Sequence, residues 1–233
     1  MFGHALALDS QSVEAQSWLA TALAQRTISQ MTDSAAADIA RAEGLIAQAL
    51  AASPRSPLAH FAKGHVLRAQ LRYAEAIPEY ETAIAFNRNW AFAIYALGQC
   101  KHLTGSIEEA ISLVERAIRF SPRDPFIANW YTFVGRMHLL QSRTDEAILW
   151  LEKARSANPG LAAAHAPLAA AYALKGESRR AAVELAGARR LGDSRYLSIA
   201  HLKAAANFGV PTIHALYEAT LFAGLRKAGM PTD

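Results

Sequence analysis

The run Leu97-Gly98-Gln99-Cys100-Lys101-His102-Leu103-Thr104-Gly105-Ser106-Ile107-Glu108-Glu109-Ala110-Ile111-Ser112-Leu113-Val114-Glu115-Arg116-Ala117 decides the fold. Its Glu109-Ala110-Ile111 recurs as Glu75-Ala76-Ile77 and Glu146-Ala147-Ile148, with Arg41-Ala42-Glu43 and Arg180-Ala181-Ala182 in line with them. The central alanines are spaced by 34, 34, 37 and 34 residues. Seven residues after each comes a second alanine (Ala49, Ala83, Ala117, Ala154, Ala188), two helical turns along and therefore on the same face. Twelve residues before the last four of these central alanines sits another small residue (Gly64, Gly98, Gly135, Ala169), the contact point expected on a preceding helix. Pro54, Pro122 and Pro159 follow the second alanine by five residues, where they stop the second helix.

A 34-residue period with several positions repeating in phase resembles the tetratricopeptide repeat (TPR) family, a tandem of helix–turn–helix units. The resemblance implies an all-α, right-handed α-solenoid of about five repeats with a C-terminal capping helix. Residues 1–12 read as the second helix of a partial repeat, followed by repeats over 13–56, 57–90, 91–127, 128–161 and 162–195, with capping helices in 196–233. In the first repeat the second helix is delayed by about ten residues, which predicts a longer loop or an extra turn around Thr27 to Asp38. Ser56-Pro57 and Asp124-Pro125 read as an N-cap followed by proline at the first helical position, and Ser106 with Glu109 as a capping box. Pro78 and Pro167 fall early in helices that they are expected to bend. Pro211 to Lys227 reads as one amphipathic helix closed by Gly229 and Pro231.

Composition agrees with a folded helical chain: 52% of the 233 residues are hydrophobic, enough to bury a sizeable core, and glycine and proline are few. A net charge of +4 is too weak a bias to point to nucleic acid. The single cysteine, Cys100, excludes an internal disulfide and a cysteine-based zinc site, and the cytoplasm is the expected compartment. No signal peptide or membrane span is expected, since the longest apolar run, Leu161 to Leu174, is broken by His165 and Pro167. The N-terminal edge starts in mid-repeat, so Phe2 and Leu6 are candidates for contact with another subunit, in a homodimer for example.

No Gly-rich phosphate loop, nucleophile elbow or zinc-spaced His-Glu pair occurs, so no catalytic residue, metal site or cofactor is expected. His60, His138 and His165 occupy slots usually filled by packing aromatics, and Trp90, Trp130 and Trp150 read as core. Cys100 reads as an inert packing residue. Function is expected on the surface that the first helices line, where positions 2, 5, 9 and 12 of each repeat share one stripe. The second repeat contributes Phe61, His65 and Arg68, and the third Phe92, Tyr95, Gln99 and His102. The fourth contributes Asn129, Thr132 and Arg136, whereas the fifth offers only Ala163, Ala166, Ala170 and Ala173. Aromatic rings beside Arg68 and Arg136 suit an acidic or C-terminal peptide. One subset of the family grips chaperone tails with Lys at position 5 and Asn at position 9; here those slots hold Phe61/His65 and Tyr95/Gln99, so that ligand is not expected.

The segments Ala5-Leu6-Ala7-Leu8-Asp9, Ser121-Pro122-Arg123-Asp124-Pro125 and Gly224-Leu225-Arg226-Lys227-Ala228-Gly229 also resemble the C-terminal TPR region of bacterial class III adenylate/guanylate cyclase-related regulatory proteins. That resemblance implies a regulatory module without the cyclase catalytic domain. The leading expectation is a non-catalytic protein- or peptide-binding scaffold in regulation or signalling. A self-assembly module and an accessory region of a cyclase-like protein are the alternatives.

Overall fold

A computed structural model describes residue 6 and residues 8–205 and 207–233. Phe2 lies outside the described residues; Leu6 is helical and half-buried. The regular elements of the described residues are all helices, in tandem packing of the α-solenoid class, and the chain falls into two compact units, Met1–Thr104 and Gly105–Asp233.

The first unit holds α1 (Val13–Ile28), α2 (Ala35–Ala52), α3 (Pro57–Ala69), α4 (Tyr73–Phe86) and α5 (Ala91–Leu103). Helix α1 packs on α2 and α3, α3 on α4, and α4 on α5. The extra residues of the first repeat lengthen both the helices and the loop: α1 has 16 residues and α2 has 18, against 13 and 14 in α3 and α4, and residues 29–34 connect them where 70–72 suffice in the next repeat. The Ala-rich sequence of α2 offers no breaker, so propagation takes most of the surplus.

The second unit holds α6 (Ile107–Phe120), α7 (Ile127–Leu140), α8 (Thr144–Ala157), α9 (Ala162–Lys175) and α10 (Ser178–Arg190). A 3₁₀ turn (Ser194–Tyr196) leads to α11 (Ile199–Ala205). The segment expected as one C-terminal helix is α12 (Pro211–Tyr217), a π turn (Glu218–Phe222) and α13 (Ala223–Lys227), end to end. A π turn inserts one residue into the ladder, a register shift that apolar periodicity does not reveal.

Helix starts differ in how closely they follow the expected caps. Ser56 accepts from the Ala59 N–H, with Pro57 at the first helical position as expected. Ser106 makes no side-chain cap bond, so the expected box is not formed. Asp124 instead builds a turn ahead of its helix: its Oδ1 accepts from the Phe126 N–H at 2.8 Å and α7 begins only at Ile127. Pro78 and Pro167 lie inside α4 and α9, each the sixth residue of its helix.

Helix ends share one device. Leu71, Gly105, Ser142 and Gly176, each between consecutive helices, all have positive φ. At Leu71 the Schellman pattern is complete: Leu71 N–H bonds to Arg68 C=O and Arg72 N–H to Leu67 C=O. Ser142 and Gly176 carry the same pair of bonds. Glycine adopts this conformation freely, whereas leucine and serine hold it at a cost of about 1 kcal/mol.

Small residues set the helix spacing. A Cβ on Gly64 would lie 2.7 Å from the Tyr80 ring, and one on Gly135 would lie 2.6 Å from Leu151 Cγ and 3.1 Å from the Ala147 carbonyl. Histidines then tie hairpins to the loops before them. His60 bonds Glu79 (2.7 Å) and the Pro54 carbonyl (3.1 Å), and His165 bonds Glu184 (2.7 Å) and the Pro159 carbonyl (3.0 Å). In each case the same carboxylate also pairs with a cation, Lys63 or Arg155.

Two outcomes follow for equilibrium unfolding in urea. Leu71→Gly, at an exposed site, raises stability by up to about 1 kcal/mol because it relieves the left-handed strain. Gly135→Ala lowers it by about 1–3 kcal/mol, because the added methyl meets backbone as well as Leu151.

Candidate functional site

In the first unit the stripe residues of α3 and α5 converge, but at unequal depth. Phe61 is fully buried at the hub of an aromatic cluster, with ring centroids 4.4 Å from Trp90 and His65, 5.9 Å from Tyr80 and Phe92, and 6.5 Å from Trp18. It supports the surface and does not face a ligand, contrary to the expectation from its repeat position. His65 and His102 are also buried. Phe92, Tyr95 and Gln99 are half-buried and form the accessible part; the Gln99 side chain donates to the Tyr95 hydroxyl at 3.1 Å.

Beneath them lies Arg68, only 9% exposed. Its guanidinium hydrogen-bonds Tyr80 and lies near Cys100 and Tyr95, and among the described residues it has no carboxylate partner. An arginine can only donate, so the Tyr80 oxygen accepts from it, while His65 Nδ1 lies 3.0 Å from the Tyr80 hydroxyl and 3.3 Å from the Phe61 carbonyl of its own helix. The other His65 nitrogen, Nε2, is buried with no hydrogen-bond partner. The arrangement is a buried cation beside a phenol and a neutral imidazole.

Burial, and then the Arg68 cation beside it, lowers the His65 pKa to about 3. Burial pushes the Cys100 thiol up to about 11, partly offset by Arg68, which makes it an inert packing group as expected. Burial likewise raises the Tyr80 phenol.

The second unit treats its stripe differently. Thr132 is buried and its hydroxyl donates to Ala128 C=O of its own helix at 2.8 Å. Asn129 is half-buried. Arg136 sits over the Phe133 ring at 5.9 Å and hydrogen-bonds Tyr217 of the C-terminal segment. The alanine stripe of α9 is covered too: Ala166, Ala170 and Ala173 are buried, and the backbone of Gly224 lies against Ala170. Thr132 and Arg136 were expected to meet a peptide, but the Thr132 hydroxyl bonds its own helix and Arg136 bonds Tyr217 of the C-terminal segment, with its Nε buried and unpartnered among the described residues. Sequence reasoning missed this because residues 211–227 fall outside the repeat period; the one available signal was the run of alanines, a face suited to receiving a closely packed helix.

Two family models described as tetratricopeptide repeat match residues 31–94 and 90–159, together more than half of the chain. The chain belongs to the tetratricopeptide repeat family. Three solved structures are similar in fold. MamA is 23% identical, over 66% of this chain and 89% of its own, with a TM-score of 0.60. YrrB, described as a TPR protein with an unusual peptide-binding site, is 20% identical over 87% and 96%, with a TM-score of 0.58. PilF of Pseudomonas aeruginosa is 18% identical over 91% and 96%, with a TM-score of 0.65. No curated protein sequence matches significantly. TPR proteins generally bind proteins or peptides, and the family is typically non-catalytic. No helix among the described residues is long and apolar enough to cross a membrane.

The neutral His65 makes the TPR core sensitive to acid. Its pKa in the folded protein lies below the ordinary 6.5, so below 6.5 the unfolded chain takes up a proton that the folded chain refuses. Stability is therefore full above pH 6.5 and is lost as pH falls toward 3. His65→Gln is expected to flatten the stability–pH curve by close to one proton, about 1.4 kcal/mol per pH unit, between 6.5 and the ordinary Glu value of 4.5. Urea midpoints of both proteins across that window give the comparison.

Proposed function

We propose that the chain is a non-catalytic binding scaffold whose α3–α5 face takes an acidic or C-terminal protein segment. One observation carries this reading: Arg68 is a buried cation with no carboxylate partner among the described residues, set beside the half-buried Phe92, Tyr95 and Gln99. A buried charge without a counter-ion is costly unless something outside the chain supplies one. An incoming carboxylate would do so, while the rings beside it bury apolar area of the same ligand. The sequence resemblance to cyclase-related regulatory proteins, together with a lone, sealed cysteine, supports a regulatory setting in the cytoplasm.

The test is fluorescence anisotropy with acidic peptides carrying a free or an amidated C-terminus. Arg68→Gln is expected to weaken binding about tenfold or more, the worth of one charge-assisted bond, with helicity unchanged. Arg136→Gln is expected to leave it nearly unchanged, since Arg136 is already engaged by Tyr217. Equal affinity of wild type and Arg68→Gln would refute the reading.

A further inference from the structure

The C-terminal segment is built as an arm with its own internal ties. Phe208 packs on Tyr217 (4.9 Å), Phe222 (5.5 Å) and His214 (5.2 Å). Glu218 pairs with Arg226 within the arm and with Lys203 of α11, outside it. The last residues return to α11, where the Ile199 and Ala200 N–H groups donate to the carbonyls of Pro231 (2.9 Å) and Thr232 (3.0 Å). Toward the repeats the arm turns an apolar face, with Phe222 and Leu225 buried, and the contact is made on α9 and α7.

At the crossing point nothing larger than hydrogen fits. A Cβ on Gly224 would lie 2.6 Å from the Ala170 carbonyl and 2.8 Å from the Ala170 Cβ. The polar tie from the arm to α7 is Tyr217 to Arg136. The alanines of α9, the glycine of α13 and the π turn that re-registers the helix beside them are thus fitted to one another.

We infer that residues 208–233 are a tethered ligand: they occupy, in cis, a helix-receiving face on α7 and α9. The external partner this face fits is an amphipathic helix with a glycine at the crossing point, a large aromatic two residues before it and a leucine one residue after it, the pattern of Phe222-Ala223-Gly224-Leu225. The face opens when the arm leaves, giving up its bonds to α11 as well as its packing on α7 and α9, and competition between arm and partner sets its occupancy. This face is separate from the Arg68 surface, and the inference stands whether or not that surface binds acidic peptides.

The test uses the full chain carrying a protease site between Asn207 and Phe208, cut after folding, with a labelled synthetic peptide of residues 208–233 as probe. The cut protein is expected to retain the arm and to exchange it for the probe, while a Gly224→Leu probe binds at least about tenfold more weakly. The uncut chain is expected to exclude the probe, and uncut Gly224→Leu protein to admit it with α6–α10 still protected from hydrogen exchange. If cutting instead unprotects α7 and α9 together with the arm, or the labelled peptide never enters the cut protein, the arm is an inseparable part of the core and the inference fails. A dimer in which each copy's arm fills the other's face would also overturn the assignment in cis.

Discussion

Close approach of helix backbones at residues with little or no side chain is the constraint on which this molecule depends. Gly64 leaves room for the Tyr80 ring, Gly135 for Leu151 and the Ala147 carbonyl, and Gly224 for Ala170. Each contact lies where dispersion and apolar burial fall off steeply with distance, so spacing set by these few atoms decides how much core every hairpin keeps. Gly187 plays a related part, leaving 3.0 Å between its would-be Cβ and the imidazole through which His165 ties α9 to α10 and the preceding loop. Packing and polar ties therefore use the same narrow positions.

The repeats were legible because small residues such as Gly64, Gly98, Gly135 and Ala169 are chemically conspicuous and recur at about 34 residues, a regularity that survives even the three-residue insertion before Ala128. What the sequence hid is instructive. Leu71 and Ser142 occupy the same left-handed turn position as Gly105 and Gly176, yet nothing in their chemistry announces it; the Schellman bonds impose the conformation. Likewise the ten surplus residues of the first repeat could not be apportioned between loop and helix without knowing how far α1 and α2 propagate.

At the candidate site, periodicity placed the right residues on one stripe but could not give their depth. Phe61 is sealed by Trp18, Tyr80, Trp90 and Phe92, which come from other parts of the first unit, so its burial is a property of the assembly and not of its own helix. Arg68 sinks for the same reason and carries its charge to a place where only phenols, a thiol and a neutral imidazole surround it. In the second unit, Arg136 was read as open because its neighbour Tyr217 lies 81 residues further along the chain, in a segment with no place in the repeat.

Cys100 has a practical corollary. The chain holds one sulfhydryl, packed away from solvent and kept protonated at neutral pH by a pKa near 11. Maleimide dyes and spin labels need an exposed thiolate, so a cysteine introduced on the surface becomes the sole point of attachment without any background residue having to be removed. The native sequence is thus already a clean host for distance measurements by paired probes.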